Sequence, residues 1–183
     1  MDNSPEDVAR AFLAALDERR WHDAALLVDP QILERFRARM IELLDLRDRQ
    51  PEQPSDSDTF FIPATTLLGV ADPVAAERLS ATQLLAHLAE SCHPENVLRH
   101  HGNAQPEEVR ITRALVGVEP VSADRATARY QTEWWHGDRR NEATAGVHAL
   151  ELVRTSSGWR VRDTDLSGYG GGHILPLDDS SAR

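Results

Sequence analysis

Apolar residues in this chain recur every three or four positions up to about Cys92, and every second position beyond Val97. The first rhythm predicts helices, and the second predicts strands. Val8, Phe12 and Leu16 fall four apart, with Leu13 widening the same face, which is the stripe of an amphipathic helix. Ser4 can cap that helix, Pro5 suits its first position, and Glu6 and Asp7 favour its positive end. Arg19 and Arg20 end it. A short helix over 21–28 would turn Trp21, Ala24, Ala25 and Val28 inward, and Asp29-Pro30 opens a third in which Ile32, Phe36, Met40 and Leu44 keep the period to about Leu46. Asp72-Pro73 begins another short helix. Ser80 and Gln83 form a capping box for one that buries Leu84, Leu85 and Leu88 and is broken at His93-Pro94.

In the second rhythm, Val109, Ile111, Arg113 and Leu115 alternate with Arg110, Thr112, Ala114 and Val116 in a strand reaching Val118. Pro120 lies in the turn that follows. Ala126, Ala128, Tyr130, Thr132, Trp134 and His136 then form one strand face, and Thr127, Arg129, Gln131, Glu133 and Trp135 form the other. A turn at Gly137-Asp138 leads to a strand over 145–154, and Ser156-Ser157-Gly158 leads to a last one over 159–166. Successive strands joined by short turns make an antiparallel meander. Helices followed by a meander predict a single α+β domain over 1–183, organised around the sheet of Ala126 to Leu166. Residues 47–58 hold two prolines and no large apolar side chain, so they are expected to be a solvated, mobile loop. Pro63 makes 59–70 irregular, and the glycines of the tail 167–183 rule out a regular element there.

Composition narrows the function. The 183 residues are enough for one domain with a true core. A net charge of −10, with arginine as the sole strong base, disfavours a nucleic-acid partner because phosphate binding needs a positive footprint. The expected reason for the missing lysines is codon usage in a GC-rich genome. No apolar run spans a bilayer, and MDNSPEDVAR shows no charged-then-apolar leader pattern, so no membrane association and a cytoplasmic location are expected. One cysteine, Cys92, precludes an internal disulfide framework.

The opening VARAFLAALDERRWHDAALLV and the closing ALELVRTSSGWRVRDTDL resemble the nuclear transport factor 2-like superfamily, also called SnoaL-like or cystatin-cone proteins. There a first helix ends in a polar turn and a Trp, a second helix follows, and the last strand often begins Gly-Trp-Arg-Val. The resemblance implies N-terminal helices packed on a strongly curved antiparallel sheet, a conical fold with an interior pocket. Members include isomerases, dehydratases, cyclases and noncatalytic binding modules, so fold does not choose among activities. No catalytic residue carries over by position.

Pocket candidates follow from the alternation. Tyr130 and Trp134 share a face, His148 shares one with Leu150 and Leu152, and Asp163 shares one with Trp159 and Val161. If these faces meet, Tyr130, Trp134, His148 and Asp163 line a cavity in which desolvation would raise the acid's pKa toward neutrality. The competing expectation is that both tryptophans are core and that His148 and Asp163 sit at a rim. Glu151, which interrupts Val147, Ala149 and Val153 on the opposite strand face, is expected to pair with Arg160, Arg162 or Arg129, with an acid–base role as the alternative. Cys92, His93, His100 and His101 match no standard zinc spacing, so no metal is expected. Gly168 to Gly172 lacks the context of a phosphate loop, and no cofactor is expected. Two functions remain: binding a small apolar ligand in the cone, with or without cofactor-independent acid–base chemistry, or a noncatalytic interaction module. The module would be a homodimer through the open sheet face, using Trp135 and Val147, or an immunity-type partner of a basic protein.

Overall fold

A computed structural model describes residues 3–48, 73–91, 93 and 109–164. Residues 59–70, expected to be irregular, most of 47–58, expected to be a loop, the tail 167–183, and Cys92, His100 and His101 lie outside the described residues. Helix α1 (Pro5–Asp17) begins as expected. Ser4 Oγ accepts from the Asp7 amide, and Asp7 answers by accepting from the Ser4 amide, each at 3.1 Å. Its other end closes in a Schellman arrangement: the Arg20 amide donates to Ala15 O at 2.8 Å and the Arg19 amide to Leu16 O at 3.2 Å. That geometry holds Arg19 at φ +57°. Glycine is the usual occupant, and another side chain costs about 1 kcal/mol there.

Helix α2 (Trp21–Leu26) stops two residues before the expected Val28. Val28 leaves the helix to bridge Val161, where the Asp29 amide donates to Val161 O at 2.8 Å and the Val161 amide to Leu27 O at 2.9 Å. Helix α3 (Pro30–Asp48) runs two residues into the segment expected as loop, because no glycine or proline precedes Pro51 to stop it. Helix α4 (Pro73–Glu77) is tied to α3 by Arg37, whose Nε donates to Leu79 O at 2.9 Å and Nη2 to Glu77 O at 2.6 Å. Helix α5 (Ala81–Ser91) starts from the Ser80–Gln83 capping box.

Strands β1 (Val109–Pro120), β2 (Arg125–His136), β3 (Arg139–Thr155) and β4 (Gly158–Thr164) form one antiparallel sheet in sequence order. β1 runs past its expected end, so Pro120 pairs with Ala126 instead of turning; Pro120 is tolerated because β1 lies at the sheet edge. β3 begins six residues earlier than expected, since Gly137 at φ +56° lets the chain reverse within Gly137-Asp138 and pair His136 with Arg139. Irregularities at Leu115/Gly117, Thr132/Trp134 and Glu151/Leu152 interrupt the ladders. Such bulges bend and twist strands, here into a curved sheet with α1 lying against all four of them.

The α1 contact settles which sheet face is inside. Phe12 and Leu16 of α1 and Leu84 and Leu85 of α5 are buried in one cluster with Tyr130, Leu150, Leu152 and Val161. Each such side chain, fully withdrawn from water, contributes about 1.5–3 kcal/mol. Val109, Ile111 and Trp134 form a second, smaller cluster on the same face. Val147 and Val116 point outward. Glu151 is also outward, and its partner is Arg125, not one of the three expected arginines. Arg125 Nη2 lies 3.3 Å from the Glu151 carboxylate, with both side chains 49% exposed, so the pair adds little stability. Arg129 meets Glu119 instead, and Arg160 donates to Trp159 O.

Candidate functional site

Tyr130, Trp134 and His148 all come to the inner face. Tyr130 pairs with His148 across β2 and β3, and their rings stack with centroids 5.4 Å apart and planes 29° apart. Trp134 lies two residues beyond Thr132 on the same face and is 2% exposed. Asp163 does not join them. The bulge between Glu151 and Leu152 skips Arg162, so Val161 pairs with inward Leu152 but Asp163 pairs with outward Glu151. One extra residue reverses the alternation on which the Asp163 expectation rested.

Thr132 sits opposite Gly146, and Gly146 precedes His148 by two residues on the same face. A Cβ added to Gly146 would lie 3.1 Å from His148 Nε2, so the missing side chain is what gives the imidazole its place. Thr132 Oγ1 and His148 Nε2 are both buried, and neither has a hydrogen-bond partner among the described residues. A hydroxyl donates or accepts, and a ring nitrogen does either according to its tautomer. The two can therefore share one polar atom of a third group.

On the other side of Thr132 stands Arg113, its β1 partner. Arg113 Nη1 donates to Asp17 Oδ1 at 2.8 Å, and the Arg113 amide donates to Asp17 Oδ2 at 2.9 Å. The guanidinium side chain is 4% exposed and the carboxylate side chain 25%. Burial pushes the Asp17 carboxyl above its ordinary value, outweighing the bonds and the positive charge of Arg113 that act the other way. Sequence reading missed this pair as a unit. Two signals were present: Arg113 interrupts an inward series between Ile111 and Leu115, and Asp17 places a negative charge at the negative end of α1. Nothing in the sequence joins them across 96 residues.

A separate open depression of about 710 Å³ lies between α2 and α5, with Trp21, Gln83, Ala86 and His87 among its walls. None of the four expected pocket residues lines it. Among the described residues, no three His, Cys, Asp or Glu side chains are grouped to hold a metal, and no helix is long and apolar enough to cross a membrane.

No protein-family model matches the chain, and no curated protein matches it either. Among solved structures, it is similar to a domain of unknown function with a cystatin-like fold from Nostoc punctiforme. The two are 9% identical with a TM-score of 0.41, over 85% of this chain and 68% of that one.

Proposed function

We propose that the inner sheet face binds a small, largely apolar molecule within a nuclear transport factor 2-like cone, holding one oxygen of it between Thr132 and His148. The observation that carries this reading is the pair of buried polar atoms, Thr132 Oγ1 and His148 Nε2, on neighbouring strands without partners among the described residues. Each such orphan costs about 1–3 kcal/mol, so a ligand oxygen bonded to both is strongly favoured there. Tyr130 and Trp134 supply apolar surface beside it. Proton transfer by His148 fits the same arrangement when the bound molecule places an acidic hydrogen at Nε2.

Thr132→Val and Gly146→Ala test this. Thr132→Val keeps shape and removes the orphan hydroxyl, so the free protein is expected to gain about 1 kcal/mol in urea denaturation. Gly146→Ala pushes against the imidazole and displaces Nε2. In a thermal-shift screen of uncharged cyclic ketones and alcohols, a compound that raises the wild-type midpoint should raise neither variant's. A destabilised Thr132→Val protein, or equal midpoint shifts in all three proteins, refutes the reading.

Exposed apolar side chains favour a second reading, a homodimer through the outer face. Val147 is 68% and Val116 64% exposed, and Val147 neighbours Gln131 and Ala114 in register. Sedimentation should then give a dimer at micromolar concentration and a monomer for Val147→Glu. A wild-type monomer excludes it.

A further inference from the structure

We propose that the Asp17–Arg113 pair restricts the inner site to uncharged carbonyl compounds, with Asp17 as the residue that sets this specificity. It rests on the reading that Thr132 and His148 hold one oxygen of the ligand, and it names the charge that ligand can carry.

Arg113 and Thr132 are partners across β1 and β2. The Arg113 amide donates to Asp17 Oδ2 at 2.9 Å, so it points away from β2, and the two residues form a non-hydrogen-bonded pair. Partners of that kind have Cα atoms about 4.5 Å apart and their side chains close together. The Arg113 side chain, 4% exposed, therefore lies beside buried Thr132 on the inner face. Its Nη1 meets Asp17 Oδ1 at 2.8 Å, while Nε and Nη2 bond no described residue.

Stability does not account for this pair. Asp17 lies at the negative end of α1, where a carboxylate is disfavoured, and burial pushes its carboxyl above the ordinary value. A buried ion pair is commonly no more stable than apolar side chains of similar volume. What the pair supplies, and apolar residues do not, is N–H donors without net charge. A neutral carbonyl oxygen accepts from such donors. Without Asp17, the same donors would carry an uncompensated positive charge away from water, where its attraction for an anion is little screened. Neighbouring charges do not replace Asp17. Glu18, Arg19, Arg20 and Asp23 are two acids and two bases, and Arg20 bonds Glu18 and Asp23, each at 2.7 Å.

Cyclohexanecarboxamide and cyclohexanecarboxylate have nearly the same shape and differ in charge. Calorimetric titration at about pH 7.5, where the acid is ionised, compares them. The wild type is expected to bind the carboxamide about tenfold or more tightly than the carboxylate. In Asp17→Asn the carboxylate should gain about tenfold or more, while the carboxamide changes by less than about threefold. Asp17→Asn/Arg113→Gln, with neither charge, should lose that gain. Circular dichroism checks the fold of both variants, and the wild-type comparison needs neither. Carboxamide binding that Thr132→Val leaves undiminished overturns the Thr132–His148 reading and this assignment with it. Where carboxamide binding does need Thr132, three results overturn the charge assignment alone. These are equal wild-type affinity for the two probes, no carboxylate gain in Asp17→Asn, and a gain that survives the loss of Arg113. A wild type that does not bind the carboxamide overturns the assignment as well.

Discussion

Arg113→Ala is expected to cost about 3 kcal/mol of folding stability, seen as a lowered urea midpoint with an unchanged slope. The side chain is 4% exposed and is the cation bonded to Asp17. Its removal strands a carboxylate that α1 holds against the sheet, and an uncompensated buried charge is far costlier than an intact pair is stabilising. The loss falls at the lower end of the usual range because the Asp17 side chain remains 25% exposed.

The same pair has a pH signature opposite to that of most carboxylates. Because burial raises the Asp17 pKa above 3.8 in the folded state, the folded protein binds the extra proton first. The Asp17 contribution to stability is therefore fully present below the unfolded pKa, and it is lost as pH rises through the folded one. Relative to Asp17→Asn, which does not titrate, the wild type should gain stability as pH is lowered through that window. Denaturation curves of both proteins between neutral pH and pH 4 measure the difference. A wild type that loses stability relative to Asp17→Asn on acidification would refute the assigned direction.

Trp134→Ala and Trp135→Ala should differ sharply although the residues are adjacent. Trp134 is 2% exposed and closes a cluster with Val109 and Ile111, so truncation leaves a large cavity and costs about 3–5 kcal/mol. Trp135 belongs to the outer face, where Arg110 lies over its ring at 5.2 Å. Losing that contact and the partly exposed ring costs about 1 kcal/mol. Equal losses in paired urea denaturations would contradict the assigned faces.

Local rules were enough for most of the elements. The caps at Ser4 and Ser80 came directly from residue type, as did the inward stripe of α1 and the alternation that put Tyr130, Thr132 and Trp134 on one side of β2. These are properties of neighbours in the chain, governed by periods of 3.6 and 2. The α3 end was misplaced by two residues and the β3 start by six, because a helix without a breaker continues and a two-residue turn at Gly137 suffices.

What sequence alone determined about this protein is thus an α+β chain of capped helices and a meander, with Tyr130 and Trp134 on one face of their strand and His148 on the face of Leu150 and Leu152. Tertiary structure alone decided the rest. A bulge in β4 moved Asp163 to the outward register, and Gly146 made room for His148 over the site opposite Thr132. The packing of α1 chose the inner face and joined Asp17 to Arg113 across 96 residues. Periodicity tells which side chains share a face within one element. It carries no information on where a ladder slips by a residue or which distant charge fills the space beside another, since those depend on packing between elements.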